Sequence, residues 1–168
     1  MMRWTRPDIL NAIRELSKHM AKLGPSHLLA MKKVMRYILA TPERGLFLQP
    51  KRTWNEDPTF AFEIIGKSDT DYAKDPDTRK SVSGSTVFLE GAPVVIRSGQ
   101  QNSVTLSSAE AELVGGTGCA QDMLYVMRVL DSLGLRVKMP MTLFLDNKGA
   151  IDLANSWSVG GCTRHIEV

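Results

Sequence analysis

The order of patterns along this chain predicts an α/β fold, a mixed sheet with flanking helices, preceded by a helical hairpin. Three observations carry that expectation. Apolar residues recur at helical spacing before residue 41, the period switches to short extended segments from Phe60, and a helix-strand-helix succession follows Ser107.

Residues 5–23 read as a helix, because Thr5 and Asp8 have capping-box spacing and Ile9, Ile13, Leu16, Met20 and Leu23 recur on one face. Gly24-Pro25 ends it. Ser26 then caps a second helix, in which Leu28, Met31, Met35, Ile38 and Leu39 face inward until Thr41-Pro42. After Leu46-Phe47-Leu48, the segment KRTWNEDPT is polar and aperiodic, with prolines on both sides, and marks a domain boundary. The expected division is 1–59 and 60–168. Beyond it FAFEIIG, SVSGSTVFLEG, APVVIRSG and QNSVTL each read as a short strand bounded by Gly, Ser or Pro. A hairpin connection at Glu90-Gly91-Ala92-Pro93 would make the second and third antiparallel neighbours. Ser107 and Glu110 form a capping box for a long helix that reaches Leu133 and is closed by Gly134. The strand MTLFL, Asp146 and a short helix NKGAIDLAN follow.

Composition narrows the class without naming a function. A chain of 168 residues, 43% hydrophobic and 23% charged, can bury one ordinary core. No apolar run approaches the roughly 18 residues of a membrane span, and MMRWTRPD lacks a signal-peptide core, so a soluble, intracellular protein with no membrane partner is expected. Two cysteines, Cys119 and Cys162, exclude a disulfide framework and form no CxxC pair. A net charge of +3 permits a polyanionic partner and by itself decides nothing.

Three carboxylates stand where a sheet-based site would want them: Asp69 after the first strand, Glu112 in the first turns of the long helix, and Asp146 at the end of MTLFL. Hard oxygen ligands brought together repel one another unless a cation neutralises them, and magnesium is the usual partner in phosphate chemistry. Spacing alone leaves each open to the plainer reading of a solvated surface acid. A calcium loop in DTDYAKDPD fails, since Lys74 stands where glycine is needed and Lys80 where a bidentate glutamate is needed. Cys162 with His165 has no second pair for a zinc site. Gly115, Gly116 and Gly118 fall inside a helix, where close packing on the sheet explains them better than a phosphate loop. Met123 and Met127, four apart, read as core.

The stretch GKSDTDYAKDPDTRKSVSGSTVFLEGAPVVIRSGQQNSVTLSSAEAELVGG, followed by LFLDNKGAI and TRHIEV, resembles the ribonuclease H region of copia-type retrotransposon Pol polyproteins. TRPDILNAIRELSKHM and HLLAMKKVMRYILATPERGL resemble the segment that joins reverse transcriptase to ribonuclease H in the same family. The resemblance implies a ribonuclease H-like fold and hydrolysis of the RNA strand of RNA-DNA hybrids. It further implies two Mg2+ ions, with Mn2+ as a substitute, and a reverse transcriptase polymerase domain in cis. A cytoplasmic virus-like particle, or the nucleus, would be the setting. Asp69, Glu112 and Asp146 take the positions of catalytic, metal-binding acids. Asp71 and Glu110 compete for those roles, and two residues along a strand keep one face whereas two along a helix turn it by about 200°, so Glu112 is the firmer of the two choices.

Substrate contacts implied by the same motifs are Arg79, Lys80, Ser81, Ser83, Arg97, Ser107, Asn147 and His165. Residues 79–84 equally suit a polar turn leading into a strand, and Ser107 a helix cap. Arg97-Ser98-Gly99-Gln100-Gln101 departs from the family, where lysines are common after the serine. The family's domain continues past Val168 with a helix, a strand and a final helix bearing a fourth carboxylate, so the chain is expected to be C-terminally incomplete. A catalytically inactive remnant, or a connection domain that only grips the duplex, is the competing expectation.

Overall fold

A computed structural model of the chain describes residues 5–155. The chain divides into two compact units, Met1–Phe47 and Leu48–Val168.

In the first unit a 3-10 turn at Pro7–Ile9 leads into α1 (Leu10–Ser17), and α2 spans Pro25–Ala40. The helix expected over 5–23 is therefore shorter. Arg6 stands at the N-cap without a side-chain cap bond, and the Asp8 carboxylate accepts two hydrogen bonds from the Arg6 guanidinium (3.0 and 2.9 Å) and one from the Tyr37 hydroxyl (3.0 Å). That ion pair takes the carboxylate away from capping. Arg6 also reaches the Thr41 carbonyl and hydroxyl at 3.1 and 2.9 Å, tying the ends of the hairpin together. Gly24 rather than Ser26 is the N-cap of α2, with Pro25 at N1, where its missing N–H has no consequence. The face expected to point inward is largely exposed: Leu28, Met31, Met35 and Leu39 all are, and no residue of α1 or α2 is buried. Two short helices have too little surface to cover each other's apolar stripe.

The second unit contains β1 (Ala61–Phe62), β2 (Ile64–Asp71), β3 (Val82–Leu89), β4 (Ala92–Gln100), α3 (Ser108–Ser132), β5 (Arg136–Val137), β6 (Thr142–Phe144) and α4 (Lys148–Asn155). Four strands form a sheet in the order β4-β3-β2-β6, antiparallel except for the parallel pair β2-β6. A parallel neighbour requires a crossover, and α3 is that crossover. Along β2, Ile64, Gly66, Ser68 and Thr70 are buried while Lys67, Asp69 and Asp71 are exposed. The strand thus buries one face under α3, where Ile64, Val87, Cys119, Met123, Val126 and Leu130 make the core. Met127 packs against it.

Close approach of α3 to the sheet depends on small residues. A Cβ on Gly66 would collide with the sulfur of Met123, and one on Gly115 would lie 2.5 Å from Thr70 Oγ1, 3.0 Å from Ser83 Oγ and 3.2 Å from Ser68 Oγ. Gly116 lies against Leu145 in the same way, whereas a Cβ on Gly118 would meet nothing within 4 Å among the described residues. A Schellman motif ends α3: the Leu135 N–H donates to the Leu130 carbonyl and the Gly134 N–H to that of Asp131, with Gly134 at φ +73°.

The β3-β4 hairpin turns on Glu90 and Gly91, both at positive φ, as a two-residue type I′ turn requires. Glu90 is buried, and its carboxylate holds Arg52, which also donates to the Ala61 carbonyl at 2.9 Å. QNSVTL is not a strand, because after the Gln101 N–H donates to the Ser81 carbonyl (2.8 Å) the chain turns toward α3 with Val104 and Leu106 outward and Thr105 inward. β5, paired in parallel with β1, had no expected counterpart.

Candidate metal centre

The parallel register aligns Lys67 with Phe144, and two further residues along each chain bring Asp69 opposite Asp146. Asp69 lies within β2 rather than after it, on the exposed face. Glu112 arrives from the first turns of α3. One carboxylate oxygen from each of Asp69, Glu112 and Asp146 lies within 4.8 Å of the other two.

Two of these acids face solvent and the third does not. Glu112 is 4% exposed. Its Oε1 accepts the Thr70 backbone N–H at 2.8 Å, while Oε2 is buried with no hydrogen-bond partner among the described residues. Burial pushes the Glu112 carboxyl above its usual pKa, and the charges of Asp146 and Asp69 push the same way against the Thr70 N–H. An ionised buried oxygen without a donor, facing two further carboxylates, is an arrangement that a divalent cation relieves. The three residues therefore fit a hard metal ion.

The competing acids sit elsewhere. Asp71 is exposed and pairs with Lys74 at 3.4 Å. Glu110 Oε2 accepts the Leu106 N–H at 2.6 Å while Ser107 Oγ accepts the Glu110 N–H at 3.1 Å, so this pair caps α3. Asn147 caps α4, its Oδ1 accepting the Ala150 N–H at 3.0 Å. Ser81 is fully buried, its hydroxyl accepting the Ala73 N–H and meeting Thr105 Oγ1 at 3.1 Å. Ser83 is half-buried against Thr70 and Gln101. Arg97 is engaged by both oxygens of buried Asp122. Arg79 is exposed and Lys80 half-buried, at the end of the loop between β2 and β3. His165 and Cys162 lie outside the described residues. Sequence reasoning missed the Thr70 N–H, since a backbone donor leaves no mark in side-chain identity.

Fold and site together define a mixed α/β unit whose acidic cluster, at the end of a parallel strand pair, could hold a metal ion. The retrovirus-related Pol polyprotein from transposon RE1 of Arabidopsis thaliana is 32% identical over 165 residues, which cover 98% of this chain and 11% of that protein. The corresponding polyprotein from transposon TNT 1-94 of Nicotiana tabacum is 32% identical over 164 residues, 98% of this chain and 12% of its own length. Secreted RxLR effector protein 161 of Plasmopara viticola is 34% identical over 122 residues, 73% of this chain and 80% of that protein. The chain belongs to one family with Secreted RxLR effector protein 161, 80% of which it covers, and it is similar over nearly its whole length to the retrovirus-related Pol polyproteins, about a tenth of whose length it spans. No family model matches the chain, and no solved structure matches it.

Proposed function

We propose that this chain carries the ribonuclease H part of a retrotransposon Pol polyprotein, hydrolysing the RNA strand of RNA-DNA hybrids alongside a polymerase domain in cis. The convergence of Asp69, Glu112 and Asp146 on one point, with a buried Glu112 oxygen left unpaired, is the observation that carries this reading. A sheet ordered β4-β3-β2-β6, with an antiparallel meander and a helical crossover, suits a ribonuclease H-like architecture, and kinship with Pol polyproteins supports the setting.

Asp69, Glu112 and Asp146 would hold two magnesium ions, with manganese as a substitute. A metal held there would supply Lewis-acid polarisation of a phosphate and would lower the pKa of an attacking water. The protein's part is to position. Thr70 fixes Glu112 from within the sheet, while exposed Asp69 and Asp146 leave the outer side of the cluster open to a duplex. Because the Ser81 and Ser107 hydroxyls are committed to structural bonds, backbone contacts fall first to Arg79 and Lys80.

Hybrid cleavage in magnesium tests the reading. Asp69→Asn, Glu112→Gln and Asp146→Asn should each abolish it, while Glu110→Gln and Asp71→Asn retain it. RNA should be cut only when paired with DNA, because contacts to 2′-hydroxyls and to the DNA backbone seat the duplex together. Hybrid binding with neither cleavage nor magnesium-linked stabilisation would instead establish a duplex-gripping connection domain or an inactive remnant.

A further inference from the structure

Gln101 follows β4 immediately and is 8% exposed, an unusual place for a side-chain amide. Its Nε2 donates to the Ala111 carbonyl and to Ser83 Oγ, both at 2.8 Å. A carbonyl can only accept, so the Ala111 contact fixes which end of the amide carries the hydrogens. Ser83 Oγ, having accepted from Gln101, has its one proton free for Thr70 Oγ1 at 3.1 Å. The Thr70 backbone N–H then donates to Glu112 Oε1. These bonds form a circuit that leaves α3 at Ala111, passes the end of β4, then β3 and β2, and returns to α3 at the next residue, Glu112. It lies beneath the helix where Gly115 leaves room for the Thr70, Ser83 and Ser68 hydroxyls.

We infer that Gln101 is a positioning residue for the metal centre, holding the first turn of α3 against the sheet so that the Glu112 carboxylate seats on the Thr70 N–H. The inference rests on the metal-site reading above and deepens it. The helix's own bonds fix its shape and Arg97 of β4 holds Asp122 further along it, while the Gln101 amide ties the backbone of the first turn to the sheet at the end where Glu112 lies. In a low-dielectric interior such a closed network is stiffer than its separate bonds.

The test uses the full chain and Gln101→Met, which keeps length and volume but removes the donors. Amide hydrogen exchange read at Thr70 reports the Glu112 seat without any metal. Exchange at Thr70 should speed up at least tenfold in Gln101→Met while Ile64 and Val87, elsewhere in the same sheet, keep wild-type protection. Ser83→Ala, which breaks the circuit one step along, should give the same signature and add little to Gln101→Met in the double variant. If Gln101→Met fails to fold, Ser83→Ala alone decides. The dissociation constant for Mn2+, read by titration, should rise about tenfold in parallel, in line with losses on removing groups that orient metal ligands. Unchanged Thr70 exchange in folded variants overturns the inference. Wild-type protein that protects Thr70 yet binds no Mn2+ overturns the metal reading and leaves the positioning role standing.

Discussion

Replacing Gly115 by alanine should destabilise the second unit, although alanine is the better helix former. An added Cβ would lie 2.5 Å from Thr70 Oγ1 and 3.0 Å from Ser83 Oγ, both held in hydrogen bonds and unable to retreat freely. Relief requires α3 to rise off the sheet or the hydroxyls to change rotamer, and overpacking of this kind costs about 1–3 kcal/mol. Helix propensity returns up to about 1 kcal/mol, leaving a net loss of up to ~2 kcal/mol. Gly118, in the same helix and exposed with nothing within 4 Å, isolates the propensity effect: Gly118→Ala should stabilise by about 1 kcal/mol. Urea denaturation followed by circular dichroism compares the two, with opposite shifts in midpoint and an unchanged slope expected. Equal stabilisation by both alanines would refute the claim that α3 sits as close to β2 and β3 as described.

Further outcomes follow from the charged and buried groups. Burial, reinforced by Asp146 and Asp69, raises the Glu112 pKa, so the folded metal-free protein holds that proton more tightly than the unfolded chain. Its contribution is then greatest below the ordinary carboxylate pKa of about 4.3 and is lost as pH rises through the raised value. Glu112→Gln should remove that dependence and raise the metal-free midpoint at pH 7; an unchanged pH profile would contradict it. Hydrogen bonds from Arg6, against the opposing pull of burial and with help from Tyr37, lower the Asp8 carboxyl to about 2. That stabilisation is complete above the usual value near 3.9 and fades as pH falls toward 2, and Arg6→Gln should return the Asp8 midpoint to the ordinary range in a carboxyl NMR titration. Burial, with Asp122 adding to it, pushes the Cys119 thiol up to about 11, so iodoacetamide should modify it only once urea has unfolded the chain.

Much of the second unit was legible because local and long-range signals agreed there. Ser107 and Glu110 began α3, Gly134 ended it, and Glu90-Gly91 turned β3 into β4. Two helical residues differ by more than half a turn, so Glu110 and Glu112 could not both face the cluster, and the resemblance pointed to Glu112. Asp69 and Asp71 share a face, and only the short pairing of β2 with β6 separates them. QNSVTL misled because alternation has no sign: Val104 and Leu106 have a strand's spacing, yet both are exposed and the Thr105 between them is buried. In α2 the apolar stripe is real in the sequence, but spacing cannot say whether a covering surface lies within its own unit. Asp122 took Arg97, an ion pair 25 residues apart that no local pattern announces.

The site also depends on the most distant pairing in the sheet. The β3-β4 hairpin closes through two residues, whereas Ile65 meets Thr142 across 77 residues with α3 between them, and that pairing is only three residues long. Loop closure over such a distance is roughly 3 kcal/mol less favourable than over a tight turn. The hairpin can therefore form early and unaided, while Asp146 reaches Asp69 only after α3 has docked. A nascent or partly unfolded chain would hold its acids apart, so any metal binding that requires all three would begin only when folding is complete.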